Sequence, residues 1–93
     1  MAIVILRLVL FISNSNSLKT KRTVLHSLKA RLRNKFNIAI SEIADGDKWQ
    51  KSTLAIVGVN NDKRYLDGQF SKIINFIENF YQVSIVDYEM EMI

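Results

Sequence analysis

The N-terminal run MAIVILRLVLFI constrains the fold more than any other stretch. Eleven of its twelve residues are apolar, and the exception, Arg7, sits in the middle. A bilayer-spanning helix needs about 20 apolar residues, so the run is too short to cross a membrane. A secretory signal carries its positive charge ahead of the apolar run, whereas here the charge interrupts it. Rich in Ile, Val, Leu and Phe, residues 3–12 favour a strand. Both faces of that strand are apolar. Val4, Leu6, Leu8 and Leu10 share one face; Ile3, Ile5, Arg7, Val9 and Phe11 share the other.

The remaining pattern reads in order. The turn signal SNSNS precedes a helix from about Ser17 to Phe36, with Asn16 or Ser17 as its cap. Leu18, Val24, Leu25, Leu28, Leu32 and Phe36 form an apolar stripe at helical spacing. Two strands follow, at about 37–44 and 51–59, joined by a turn containing DGD. NND at 60–62 caps a second helix that runs to about Phe80, with Leu66, Phe70, Ile73, Ile77 and Phe80 as its core stripe. A last strand spans 83–91, alternating Val86, Tyr88 and Met90 against Asp87, Glu89 and Glu91. The order βαββαβ predicts an α+β, ferredoxin-like fold: a four-stranded antiparallel sheet with both helices on one face. With 93 residues and no proline, repeat or linker, the chain reads as one domain over 1–93.

Three segments carry a family likeness: SLKTKR at 17–22, LRNKFN at 32–37 and EIADGDKWQ at 42–50. Ser17, Leu18, Lys19, Lys21 and Arg22 fit a helix-start motif, Arg33, Phe36 and Asn37 the end of that helix, and Glu42, Asp47, Trp49 and Gln50 a hairpin motif. In order and spacing the chain resembles the YlxP-like family, a bacterial domain-of-unknown-function family. The resemblance implies a ferredoxin-like fold. The family's genes often sit among translation and ribosome-maturation genes, so it also implies an RNA-related role. It supplies no activity.

Charge distribution points the same way. Residues 17–37 hold eight of the chain's fourteen Lys, Arg and His residues and no acid, while the last seven residues hold three acids and no base. At 100° per residue, Lys19, Arg22, His26, Lys29 and Arg33 fall within an arc of about 80° beside the apolar stripe. Arg31 and Lys35 lie on the opposite flank. Lys21 falls inside the apolar arc, where its ammonium would have to snorkel past the sheet edge. A solvated helix usually mixes signs, because like charges at i,i+4 destabilise and cations near the N-terminus oppose the dipole. A helix that accepts these penalties suits an anionic partner, and the phosphate backbone of RNA is the commonest. A plain solvated face is the simpler alternative.

No catalytic constellation appears: no Gly-rich phosphate loop, nucleophile elbow or HExxH. The single His and the absence of Cys argue against a metal site, and no cofactor is implied. Trp49 reads as a core or hairpin-packing residue rather than as a stacking platform. The third strand, KSTLAIVGV, has no aromatic, which argues against base stacking on the sheet. The expectation is a small cytoplasmic, non-enzymatic protein that binds RNA or a ribosomal particle through its first helix. Lys19, Lys21, Arg22, Lys29 and Arg33 would contact phosphates, flanked by Arg31 and Lys35. No membrane partner is expected, and the apolar open face of the sheet suggests a homodimer. The competing class is a homo-oligomeric interaction module that binds no nucleic acid.

Overall fold

A computed structural model describes all of residues 1–93. The elements are β1 (Ala2–Ile12), α1 (Leu18–Lys35), β2 (Ala39–Ala44), β3 (Lys51–Asn60), α2 (Lys63–Glu78) and β4 (Val83–Met92). The sheet order is β2-β3-β1-β4, and every neighbouring pair is antiparallel. This is the ferredoxin-like α+β arrangement that the sequence predicts.

The faces of β1 follow from its pattern. Val4, Leu6, Leu8, Leu10 and Ile12 are completely buried under the helices. Ile3, Ile5 and Val9 on the other face are only half-buried, and Arg7 and Phe11 are exposed. The helices close the core with Leu25, Leu28 and Leu32 from α1 and Leu66, Phe70, Ile73 and Ile77 from α2. Eighteen buried apolar residues form one cluster, which fits a chain short enough to support a single core.

Both helices start on side-chain caps. Ser17 Oγ accepts from the Thr20 amide at 3.1 Å. Asp62 Oδ1 accepts from the Arg64 and Tyr65 amides at 3.0 and 3.1 Å. Each cap satisfies donors that the first turn leaves orphaned. The ends differ from the sequence pattern by one or two residues. Helix α1 stops at Lys35 with Phe36 already extended, and α2 stops at Glu78, where Asn79 takes the C-cap. Strand β4 slips register between Val9 and Leu10, so its two-residue alternation is broken near Val86.

Two glycines differ sharply in what surrounds them. Gly58 on β3 lies under α2, and a methyl group there would meet the Phe70 ring at 2.6 Å and Leu66 at 3.3 Å. Gly68 on α2 has nothing within 4 Å of that position. Gly58→Ala should therefore destabilise the fold by about 1–3 kcal/mol, since the buried ring cannot retreat. Gly68→Ala should stabilise it by about 0.8–1 kcal/mol through helix propensity alone. Denaturant melts of the two variants give opposite signs if this packing is correct.

Candidate nucleic-acid interface

Helix α1 has three faces. Its core face carries Leu25, Leu28 and Leu32. The flank toward edge strand β2 carries Lys19, Arg22, His26, Lys29 and Arg33; all are exposed except Lys29, which is half-buried. Arg33 Nη2 donates to the Ile40 carbonyl at 3.0 Å, tying the end of the helix to β2 while its charge faces water. The flank toward α2 carries Arg31 and Lys35, both exposed.

Lys21 departs from the expectation. It is 1% exposed and does not snorkel to the surface. Its ammonium points into the β2–β3 turn, donating to the carbonyls of Asp45 at 2.7 Å and Lys48 at 2.8 Å. Glu42 Oε2 lies 3.0 Å away and completes the set. A lysine ammonium has three N–H groups, and all three are matched. Lys21 is thus a structural residue and is not among the cations available to a ligand. The spacing signal was present in the sequence: at 100° per residue Lys21 falls between Leu28 and Leu32, in the middle of the apolar arc of α1.

The acceptors of Lys21 are themselves held. Ser52 Oγ donates to Glu42 Oε2 at 2.5 Å, and Thr53 Oγ1 donates to Asp45 Oδ2 at 2.7 Å. Asp45 has a φ of 64°, in the left-handed region that Asp tolerates better than most residues. The Thr53 hydroxyl, followed by the charges of Lys51, Lys48 and Lys21, holds the Asp45 carboxyl below its ordinary value of 3.8, against an opposing contribution from burial. Trp49 does not pack into the hairpin; it is 56% exposed. Lys21 and its acceptors occupy the end of the core beside the turn, and the indole lies outside them, in a shallow cleft with Phe11, Lys48 and Lys51.

A second feature was not legible from the first helix alone. Between α1 and α2 runs a groove of about 750 Å³. Arg31, Lys35 and Lys72 line it, together with Phe76, Phe80 and Tyr81, and no Asp or Glu does. The Arg31 guanidinium sits 5.7 Å from the centre of the Phe80 ring, and the Lys35 ammonium 5.4 Å from that of Phe76. These are cation–π distances. The missed partners come from the polar side of α2, where Lys72 and Phe76 stand four residues apart on one face. No three His, Asp or Glu side chains converge as a metal site would require. No helix is long and apolar enough to cross a membrane.

Two outcomes follow from the buried network. Lys21→Met should cost about 3–5 kcal/mol in a denaturant melt, because it removes the cation and leaves the Glu42 carboxylate and two carbonyls without their donor. The lowered carboxyl of Asp45 makes a contribution that is complete above its ordinary value and is lost as pH falls toward the folded-state value. Asp45→Asn, which suits the same backbone conformation, should therefore flatten the stability-versus-pH curve on the acid side of 3.8. An unchanged slope there would remove Asp45 from the account of acid unfolding.

A family model described as Protein of unknown function (DUF503) matches residues 3–90. The chain is 35% identical over 72 residues to the Uncharacterized protein YlxP of Bacillus subtilis (strain 168), covering 77% of this chain and 78% of that protein. It is also similar in structure to LarC2, the C-terminal domain of a cyclometallase involved in the synthesis of the NPN cofactor of lactate racemase, in its apo form. That similarity has a TM-score of 0.48 at 10% identity, and it takes in all of this chain but only 55% of that one, so this chain spans about half of its length. The match over nearly the whole chain and the identity to YlxP agree with the motifs at the start of α1 and in the β2–β3 hairpin: the chain belongs to the DUF503 family.

Proposed function

We propose that this protein binds RNA across its helical layer, with the phosphate backbone following the outer flank of α1. One observation carries the reading. The molecule has two ion pairs, Lys21–Glu42 and Lys51–Asp45, and neither uses an exposed cation of α1. Lys19, Arg22, Lys29 and Arg33 therefore stand along one flank with no carboxylate within ion-pairing distance. Unneutralised cations at this density suit a phosphate chain, which they bind by releasing its counterions. Arginine adds bidentate contacts to phosphate oxygens.

The groove between the helices supplies the second half of the interface. Its volume of about 750 Å³ lies in the range of small-molecule sites and admits a nucleotide. Arg31, Lys35 and Lys72 would hold a phosphate there, and Phe80 and the 80% exposed Tyr81 offer ring faces to an unpaired base. Stacking on an aromatic ring contributes about 1–3 kcal/mol per base and tolerates any sequence. The function is thus recognition of RNA backbone and of unpaired nucleotides by helices, leaving the sheet uninvolved.

The test is a double substitution, Lys19→Glu with Arg22→Glu. Both side chains are exposed in the first two turns of α1, where acids suit the helix dipole and bases oppose it. Thermal stability should stay level or rise slightly, while affinity for structured RNA falls at least about tenfold and the salt dependence of binding becomes shallower. Filter binding across a salt series reads the affinity and its salt dependence, and a thermal melt reads the stability. A wild-type protein that retains no RNA at low salt, or a double variant that binds as well as the wild type, overturns the reading in favour of an interaction module.

A further inference from the structure

The sheet has a face that the helices leave open, and its composition is unlike the rest of the surface. Register fixes which residues share it. Ile3 stands opposite Val59, Ile5 opposite Val57, Arg7 opposite Ala55 and Val9 opposite Thr53. On the far side of β1, Ile5 faces Glu91, Arg7 faces Glu89 and Val9 faces Asp87. The face is therefore an apolar field over β3 and β1, with one arginine near its middle and a column of three carboxylates along β4. Val57 is 37% exposed, Phe11 41% and Val59 51%.

Apart from Lys51, which stands opposite Phe11 and pairs with Asp45, the charges of this face are unspent. Arg7 stands across from Glu89, yet no ion pair forms between them within 4 Å. We propose that the open face is the interface of a homodimer, two sheets packed face to face about a two-fold axis, with each Arg7 reaching the acidic column of its partner. This inference does not depend on RNA binding.

Three considerations select a second copy as the occupant. A monomer rarely leaves a contiguous apolar patch of more than a few hundred Å² open to water. Strands of this length at ordinary sheet spacing give the open face over β3, β1 and β4 about 35 Å by 15 Å. Two such faces bury on the order of 1,000 Å², the lower bound of a specific interface. The face also carries both halves of its own complement, one central cation and an acidic edge, as a two-fold contact requires of a single surface. Packed this way, the two helical layers point outward on opposite sides, so neither α1 is obstructed. The dimer would present two identical basic surfaces to one polyanion and gain avidity from both.

The experiment is light scattering at micromolar concentration, with folding of each variant checked by circular dichroism. The wild type should give a dimer mass. Ile5→Lys should raise the dissociation constant by about a hundredfold and give a monomer. Arg7→Glu, at an exposed position, serves the same purpose if Ile5→Lys does not fold. A charge exchange then tests the contact itself. Arg7→Glu alone and the pair Asp87→Lys with Glu89→Lys should each be monomeric, and mixing them should restore a heterodimer. A monomeric wild type overturns the proposal, as does a dimer that survives Ile5→Lys. Charge variants that stay dimeric, or that fail to recombine, overturn the contact between Arg7 and the acidic column.

Discussion

A buried ammonium group determines how the first helix sits on the sheet. Removing a charge of this size from water costs several kcal/mol, and the cost is offset only where every donor is matched. Lys21 meets that condition with two carbonyls of the 45–48 turn and one carboxylate of β2. The requirement acts on both partners. The turn must present the Asp45 and Lys48 carbonyls to the same point, which it does with Asp45 in the left-handed region and the Lys48 amide donating to the Asp45 carbonyl at 3.1 Å. The helix must begin where the end of its first turn stands over that point, and Ser17 caps it there. Glu42 and Asp45 are in turn steadied by Ser52 and Thr53, so the network reaches from α1 through β2 into β3. A hydrophobic contact at this corner would permit small rotations of the helix; a three-acceptor ammonium does not.

Rotation of α1 about its axis decides which cations reach solvent, so the candidate interface follows from this corner. With Lys21 turned inward, Lys19 and Arg22 necessarily project to one side of the helix, and Arg31 and Lys35 to the other. Arg33 then lies beside β2 and bonds the Ile40 carbonyl. The groove is a consequence of the same setting. It exists because Thr23, Ser27 and Arg31 on α1 face Lys72, Asn75 and Phe76 on α2 across a gap that no large apolar side chain fills.

The fold was legible in the sequence because its signals are local and redundant. The two apolar stripes, the caps at Ser17 and Asp62 and the even-numbered face of β1 each point to the same arrangement. Lys21 was visible only as an anomaly. Its place in the apolar arc of α1 showed that it was unlike its neighbours. Its acceptors, two backbone carbonyls 24 and 27 residues away, leave no side-chain pattern to read. Trp49 was misjudged for the same reason: aromatic character argues for burial, but the space beside the turn is taken by a lysine. The groove could not be read from α1, since half of it comes from α2, and only the packing of the two helices brings Lys72 near Arg31 and Lys35. The slip in β4 was hidden because a bulge changes the pairing without changing the composition of the strand.

Charge is sorted by layer, which gives the molecule an orientation toward any polyanion. The bases of α1 lie on the helical side, and Asp87, Glu89 and Glu91 lie along the open side of β4. The acids have a second effect at that place. β4 is an edge strand of ten residues with exposed Val86, Tyr88 and Met90, the kind of edge that invites pairing with another chain. Alternating carboxylates oppose that pairing, because two such edges aligned side by side would bring like charges together. They leave face-to-face packing open, where an acidic column at the rim can meet an arginine from above. The same three side chains thus discourage growth of the sheet at its edge and make the sheet side less favourable to any anion than the helical side. A strand that did none of this would need its apolar residues covered by other means, and this chain has no third helix to cover them.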